Sequence, residues 1–216
     1  MTRAPSPDTP PPSGDPVVRL RDGQGAMFGY GSLLSVSSME LTLGRPYAGR
    51  PVACALAGWR RSWDVVMPNT SFYAEEFGGE LVPEHIIYLN VRPSPEDAVN
   101  GLLYVLEPAD FEVFDRREWI YDRVRVTDAL RGVSIEGGEA YVYVAKPEWH
   151  PAEGRPRAWA ALRASYVAIV ERGVSELGSD FRAAYERTTD PVPSALLFDD
   201  RKRTGSQPPL AAAPRP

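Results

Sequence analysis

Few side chains in this sequence can bind a metal or form a disulfide bond. The 216 residues include one cysteine, Cys54, and two histidines, His85 and His150. A single cysteine excludes an intramolecular disulfide, and two distant histidines lack the clustered spacing that a zinc site requires. Small exported domains usually carry paired cysteines, so we expect a reducing compartment, the cytoplasm, and no bound metal.

The sequence also lacks a long apolar segment and an excess of positive charge. No stretch reaches the ~18 apolar residues of a spanning helix, and residues 1–16 contain no apolar signal-peptide core. The net charge is −5 at pH 7, whereas nonspecific nucleic-acid binding needs a basic surface. We therefore expect small-molecule partners, with no membrane and no nucleic acid.

Composition divides the chain into a folded part and two tails. Residues 1–16 and 199–216 are rich in proline and small polar residues without a periodic apolar face, which predicts disorder. Residues 17–198 have the length of one domain, and a hydrophobic share of 43% for the whole chain is ordinary for globular proteins. One domain between two disordered tails is the prediction.

Strand and helix patterns alternate along this domain. Apolar or β-branched runs predict strands at residues 26–30, 51–56, 85–91, 102–106, 121–127 and 138–145. Four helices are predicted: a short one with a capping box of Ser37 and Glu40 and an end at Gly44, Pro108–Arg117, an apolar stripe of Trp159, Leu162, Tyr166, Ile169 and Val170 that stops at Gly173, and Ser179–Arg187. Many strands with inserted and appended helices predict an α+β domain.

A glycine turn follows the first predicted strand, in the run Tyr30, Gly31, Ser32 and Leu33. Such a turn before a helix exposes backbone N–H groups that attract a carboxylate or phosphate, and Gly31 lets a ligand approach the backbone. The run lacks the third glycine of a dinucleotide loop and the lysine of a P-loop. A plain strand-to-helix turn is the alternative interpretation.

Ser32 lacks the sequence context of a nucleophile. Its neighbours do not form a G-x-S-x-G elbow, and a serine nucleophile needs an adjacent base. His85 opens an apolar strand and His150 lies in a proline-flanked stretch, so we expect both histidines to be structural or solvated.

Two further segments combine charged residues with apolar or aromatic ones. Glu118 follows the predicted helix Pro108–Arg117 and precedes two apolar residues and Tyr121, so we expect it to be drawn partly into the core, where desolvation raises a carboxyl pKa. Residues 59–63 contain two tryptophans and two arginines. They suit ligand stacking or anion binding, but amphipathic side chains at a sheet edge are the commoner explanation.

These features together resemble the γ-glutamylcyclotransferase family. Tyr30, Gly31, Ser32 and Leu33 match its first motif, and Glu118 matches its catalytic glutamate. The resemblance spans about residues 27–188 and includes Asn100, Gly101, Phe114, Asp115, Tyr121, Arg123, Tyr166, Ile169, Gly173, Gly178 and Tyr185. Leu34 and Ser35 follow the first motif, where the glutathione-degrading branch has a further aliphatic residue and a tryptophan.

The resemblance implies a small mixed β-barrel with surrounding helices and a pocket between the first motif and the glutamate. It implies an enzyme that cyclises the γ-glutamyl group of a small amide to 5-oxoproline and releases the amine, without a cofactor or metal. Glu118 is then the general base and acid, and the implied substrate-binding residues are Tyr30, Gly31, Ser32, Leu33, Tyr121 and Tyr166. Residues 67–84 have no counterpart in the family, and we expect them to shape the part of the pocket that receives the leaving group.

Three alternatives stay open at this point. A catalytically silent protein of the same fold would bind a γ-glutamyl compound or an amino acid. An acyl-transfer enzyme would use Ser32 as its nucleophile and would be labelled by serine-directed acylating reagents. A purely structural role has only the proline-rich tails in its favour.

Overall fold

The structure is a computed structural model that describes residues 14–76, 79–150 and 160–202. Most of both predicted tails lies outside these ranges, and so does Trp159. Arg201–Lys202, which the sequence assigned to the C-terminal tail, pair with Phe72 and Tyr73, so the folded part extends at least to Lys202.

Thirteen strands and four α-helices make up the described part of the chain. The strands are β1 (Val17–Arg19), β2 (Gly25–Gly29), β3 (Val52–Pro68), β4 (Phe72–Glu76), β5 (Gly79–Leu81), β6 (His85–Leu106), β7 (Tyr121–Arg125), β8 (Leu130–Arg131), β9 (Ser134–Glu136), β10 (Ala140–Ala145), β11 (Ala160–Arg163), β12 (Leu197–Phe198) and β13 (Arg201–Lys202). The helices are α1 (Val36–Leu43), α2 (Pro108–Arg117), α3 (Ala164–Glu176) and α4 (Ser179–Arg187). A single 3₁₀ turn, Ser32–Leu34, connects β2 to α1.

Strand β6 organises the main sheet. It pairs antiparallel with β2 and β3 and parallel with β11, and β10 joins β2 to β7. The eight-stranded mixed sheet curls into a half-barrel with the helices around it. The predicted α+β class and mixed barrel are therefore confirmed.

The strands predicted at residues 85–91 and 102–106 are one continuous strand, and that at 51–56 is only the start of β3. Pro93 does not end β6, because the register between β3 and β6 shifts beside it, between the pairs Ala57 to Ala98 and Trp59 to Pro93. A proline costs no ladder hydrogen bond at a bulge. The prediction that the strand ends before Pro93 was therefore wrong.

Helix α2 and helix α4 are where the sequence placed them, whereas α1 starts differently. Ser35 is the N-cap of α1, and its Oγ lies 2.8 Å from Ser37 Oγ. Glu40 accepts a hydrogen bond from the Tyr47 N–H at 3.0 Å instead of reaching back to the helix start, so the predicted capping box is wrong. Gly44 does end the helix, with φ of 68°.

The prediction for α3 was wrong at both ends. Leu162 belongs to β11, and the helix continues past Gly173 to Glu176. The absence of a side chain at Gly173 has another reason, since a Cβ there would lie 2.7 Å from the Leu34 carbonyl carbon and 2.8 Å from the Ser35 nitrogen. The glycine lets α3 pack directly on the turn that follows β2.

Gly173→Ala is expected to destabilise the protein by about 1–3 kcal/mol, the usual cost of overpacking. The added methyl group meets backbone atoms, which cannot rotate away as a side chain can, so α3 must move off the 3₁₀ turn. Urea unfolding measures the effect, and Arg172→Ala, at the exposed neighbouring position, should change stability by less than about 0.5 kcal/mol. Equal stability of the two variants would contradict the close packing.

Candidate active site

A small cavity of about 50 Å³ lies between the 3₁₀ turn and the end of α2. It is lined by Phe28, Gly29, Tyr30, Gly31, Ser32, Leu33, Leu89, Glu118, Tyr121, Tyr143 and Tyr166. All seven residues that the sequence proposed for the site border this one cavity, although they come from four different elements and their connections. We call it the inner cavity.

A larger cavity of about 500 Å³ adjoins the inner one. Four residues border both: Ser32, Glu118, Tyr121 and Tyr166. The larger space, the outer cavity, is therefore reached past the carboxyl of Glu118. Met67 and Phe72 line it, so residues from the segment 67–84 do contribute to the site region.

The loop of residues 30–33 is held through its carbonyl groups. The Tyr30 carbonyl accepts a hydrogen bond from Arg61 Nε at 2.8 Å, and the Leu33 carbonyl accepts one from Tyr104 Oη at 2.7 Å. Within the described ranges the N–H groups of Ser32 and Leu33 donate no hydrogen bond. Such N–H groups are suited to an anionic ligand.

The absence of a side chain at Gly31 leaves space in the inner cavity. Its φ of −118° lies outside the left-handed region, so strain at positive φ plays no part. A Cβ at this position would lie 3.2 Å from Tyr166 Oη and 3.7 Å from Leu89 Cδ2. A side chain would therefore occupy the inner cavity and press on Tyr166.

Glu118 caps the C-terminus of α2. Its N–H donates to the Phe114 carbonyl at 2.7 Å, and its own carbonyl accepts from the Tyr121 N–H at 2.8 Å. These bonds turn the chain from α2 into β7 and direct the side chain inward, where it is only 17% exposed. Desolvation raises the pKa of Glu118, and Arg117 Nη1, 3.1 Å from Glu118 Oε1, lowers it by a smaller amount.

The pKa of Glu118 has a consequence for folding. Because the folded protein holds this proton more tightly than the unfolded chain, stability falls as the pH rises from the ordinary Glu value of ~4.3 through the raised one. We expect Glu118→Gln to lack this loss and to become more stable than the wild type across that interval. Urea unfolding at several pH values tests this, with Glu112→Gln, exposed on the same helix, as the control that should follow the wild type. A constant difference between wild type and Glu118→Gln from pH ~4 to ~8 would contradict a raised pKa.

Four tyrosines line the inner cavity together with Glu118: Tyr30, Tyr143 and Tyr166 are buried, and Tyr121 is half-buried. Burial raises the pKa of each, so all four stay protonated at neutral pH. Tyr30 Oη donates to the Tyr143 carbonyl at 2.8 Å, and Tyr143 Oη donates to Asp115 Oδ1 at 2.7 Å. Tyr143 was missed from sequence, because every residue of β10 is apolar or aromatic and alternation does not distinguish its two faces.

Arg61 is the second residue that sequence analysis misjudged. Its side chain is fully buried instead of lying at a sheet edge. Besides Tyr30, its guanidinium donates to the Asn100 carbonyl and, at 3.1 Å, to Asn100 Oδ1, and it lies 4.5 Å from the centre of the Tyr185 ring. Burial lowers its pKa to about 10, which still leaves it charged at neutral pH. No carboxylate pairs with it in the described part of the chain.

The surroundings of Ser32 contain no imidazole. Ser32 Oγ accepts a hydrogen bond from Arg117 Nη2 at 3.3 Å. Neither histidine lines the inner or the outer cavity; His150 lies 3.9 Å from Asp64, and His85 is buried at the start of β6.

The described residues contain no cluster of three or more metal-binding side chains. In the same ranges no helix is both long and apolar enough to cross a membrane.

Comparison with known proteins gives a fold. No family model matches the sequence, and no curated protein does. The crystal structure of human uncharacterized protein LOC79017 matches 80% of this chain and 91% of its own, with a TM-score of 0.50 and 17% identity. A structure named gamma-glutamyl cyclotransferase matches 79% of this chain and 90% of its own (TM-score 0.48, 16% identity), and a yeast gamma-glutamyl cyclotransferase specific to glutathione matches 77% and 96% (TM-score 0.43, 11% identity).

The chain thus shares its fold with the human uncharacterized protein, in line with the α+β class that the sequence predicted. Identities below one fifth establish the fold alone, because one fold hosts many functions. What the protein does has to be argued from the two cavities and Glu118.

Proposed function

We propose that this protein is a γ-glutamylcyclotransferase, which converts the γ-glutamyl group of a small amide to 5-oxoproline and releases the amine. The observation that carries the proposal is the largely buried carboxyl of Glu118, whose pKa is raised. It lies beside the loop of residues 30–33, where the N–H groups of Ser32 and Leu33 donate no hydrogen bond within the described ranges. A carboxyl in that environment is suited to proton transfer near neutral pH.

The reaction needs no nucleophile from the enzyme. The substrate's α-nitrogen attacks its own γ-carbonyl carbon, the new C–N bond closes a five-membered lactam, and the original amide C–N bond breaks. The α-nitrogen loses two protons on going from ammonium to lactam. One passes through Glu118 to the leaving nitrogen, and the other exchanges with solvent and is regained by the free amine.

Glu118 needs its raised pKa for this transfer. An ordinary Glu at ~4.3 lies about 3.5 units below an α-amino group at ~7.8, which corresponds to roughly 4.8 kcal/mol. Burial raises the pKa of Glu118 and so reduces the difference between the pKa values of the carboxyl and the amine. The same carboxyl then serves first as base and afterwards as acid.

The inner cavity supplies the positioning. The N–H groups of Ser32 and Leu33 are the candidate donors to the substrate's α-carboxylate, and Gly31 leaves the space that this group needs. Holding amine and carbonyl in a near-attack arrangement can contribute about 7–11 kcal/mol to catalysis. The buried, protonated tyrosines exclude water from the reacting atoms.

A panel of γ-glutamyl compounds, scored for release of 5-oxoproline, tests the proposal. The panel should include γ-glutamyl amino acids, a γ-glutamylamine and glutathione. Release of 5-oxoproline from at least one of them is the expected result. Binding of a γ-glutamyl compound without 5-oxoproline would contradict the proposal and favour the catalytically silent alternative.

A further inference from the structure

We infer, on the basis of the proposed function, that the outer cavity binds the leaving part of the substrate and that Arg163 and Lys202 bind a carboxylate on it. The substrate is then a γ-glutamyl amino acid with an apolar or aromatic side chain, and a γ-glutamylamine is a poor substrate.

The position of Glu118 indicates which part of the substrate the outer cavity receives. Glu118 must lie beside the amide bond that breaks, and it borders both cavities. If the glutamyl carboxylate lies against the 30–33 loop in the inner cavity, the group beyond the amide nitrogen enters the outer one. A volume of about 500 Å³ is within the range of ordinary small-molecule sites.

The walls of the outer cavity are largely apolar. Its apolar and aromatic lining consists of Leu41, Met67, Phe72, Tyr88, Ile120 and Ile169, together with Tyr121 and Tyr166. A polar or strongly hydrated leaving group gains little from such walls. An apolar or aromatic side chain gains the free energy of burial, about 25 cal/mol per Å².

The charges that line the outer cavity are mainly positive. They comprise three cations, Arg117, Arg163 and Lys202, and one carboxylate, Glu118. Arg117 is engaged by Glu118 and Ser32, so its charge is compensated within the site. Arg163 and Lys202 are the other two cations of the lining, and Asp200, which pairs with Arg163, does not line the cavity. Positive charge in the lining disfavours an amine-bearing leaving group by like-charge repulsion.

Arg163 is held in place and retains a donor. Its guanidinium lies 3.9 Å from the centre of the Phe72 ring, and its side chain is only 13% exposed. Asp200 Oδ2 is 3.7 Å from Arg163 Nη1, but the Asp200 carboxylate already accepts from the N–H and hydroxyl of Ser165 at 2.8 and 2.6 Å. Arg163 Nε is buried and has no hydrogen-bond partner among the described residues, so a ligand carboxylate can contact only the exposed part of this side chain. A guanidinium group binds a carboxylate by charge-assisted hydrogen bonds.

Lys202 reaches the same cavity through β-sheet pairing. Residue 202 in β13 pairs antiparallel with Phe72 in β4, the residue whose ring stacks on Arg163. Phe72 therefore positions both cations. The segment that has no counterpart in the family thus supplies the part of the structure on which leaving-group recognition depends.

Two substrates that differ only in the carboxylate test the inference: γ-glutamyl-phenylalanine and γ-glutamyl-phenethylamine. We expect kcat/KM of the wild type to be about 10- to 100-fold higher for the first, the effect of a hydrogen bond to a charged group. Arg163→Gln and Lys202→Gln should each reduce this ratio by raising KM for the phenylalanine compound, while kcat/KM for the phenethylamine compound is unchanged or higher. Arg172→Gln, exposed on α3 and outside both cavities, should preserve the ratio.

A wild-type ratio near or below one would overturn the inference, and so would an unchanged ratio in both cavity variants. Lys202 is exposed, so its variant should fold even if Arg163→Gln does not. Equal release of 5-oxoproline from both substrates would overturn this inference and leave the proposed function standing. Absence of 5-oxoproline from every compound of the panel would instead contradict the proposed function.

Discussion

Glu118→Gln is expected to lower kcat for 5-oxoproline release by about 10²–10⁴-fold, the usual contribution of general acid–base catalysis. Glutamine keeps the shape of the side chain but cannot take the proton from the α-amine. The groups proposed to bind the substrate belong to the loop of residues 30–33, so KM should change much less. Steady-state kinetics on the best substrate of the panel measures both quantities.

Two further variants make this result specific. Ser32→Ala removes at most the hydrogen bond with Arg117, so kcat should fall no more than about tenfold, whereas loss of a nucleophile would abolish turnover. Glu112→Gln, exposed on the same helix, should behave like the wild type. If folded Glu118→Gln still releases 5-oxoproline and folded Ser32→Ala does not, the acyl-transfer alternative replaces the proposed mechanism. Circular dichroism must first show that each variant is folded.

Arg61→Met is expected to lower the free energy of unfolding by at least ~2 kcal/mol. The guanidinium donates to the buried carbonyl groups of Tyr30 and Asn100, and a buried acceptor left without a donor costs about 1–3 kcal/mol. Methionine retains much of the volume but supplies no donor. Urea unfolding at neutral pH, where Arg61 is charged, measures the loss.

Arg60→Met is the matched control for Arg61→Met, because the two arginines are neighbours on β3. Arg60 is 25% exposed and pairs with Asp97 and Asp190, and exposed ion pairs contribute about 0–1 kcal/mol. The Arg61 variant should also lose activity at a temperature where it is folded, since the Tyr30 carbonyl loses the contact that orients the loop. Equal stability losses at the two positions would contradict the buried role of Arg61.

The helices show when local sequence is sufficient for prediction. Helix α2 begins at Pro108 with a capping box between Glu107 and Asp110, so its start is encoded by adjacent residues. In α3, by contrast, Gly173 serves contact with Leu34, more than a hundred positions earlier. From the sequence alone, a glycine that allows close packing cannot be distinguished from a glycine that ends a helix.

The long strands show the opposite limit. Pro93 and the exposed residues around it interrupt the apolar pattern of β6, and the strand continues because β3 pairs with it on both sides of a register shift. Pairing between distant segments depends on the partner as well as on the strand's own residues. Local signals therefore divided one strand into two.

By itself, the sequence of this protein predicted the α+β class, helices α2 and α4, and seven of the residues around the inner cavity, because caps, apolar periodicity and a resemblance to known motifs lie in short stretches. Only the tertiary structure decided that Arg61 is buried behind Tyr30 and that Arg163, Phe72 and Lys202 meet in the outer cavity. The physical reason is that burial and charge compensation depend on contacts between β3, β6, α3 and β13, whose residues are far apart in the chain.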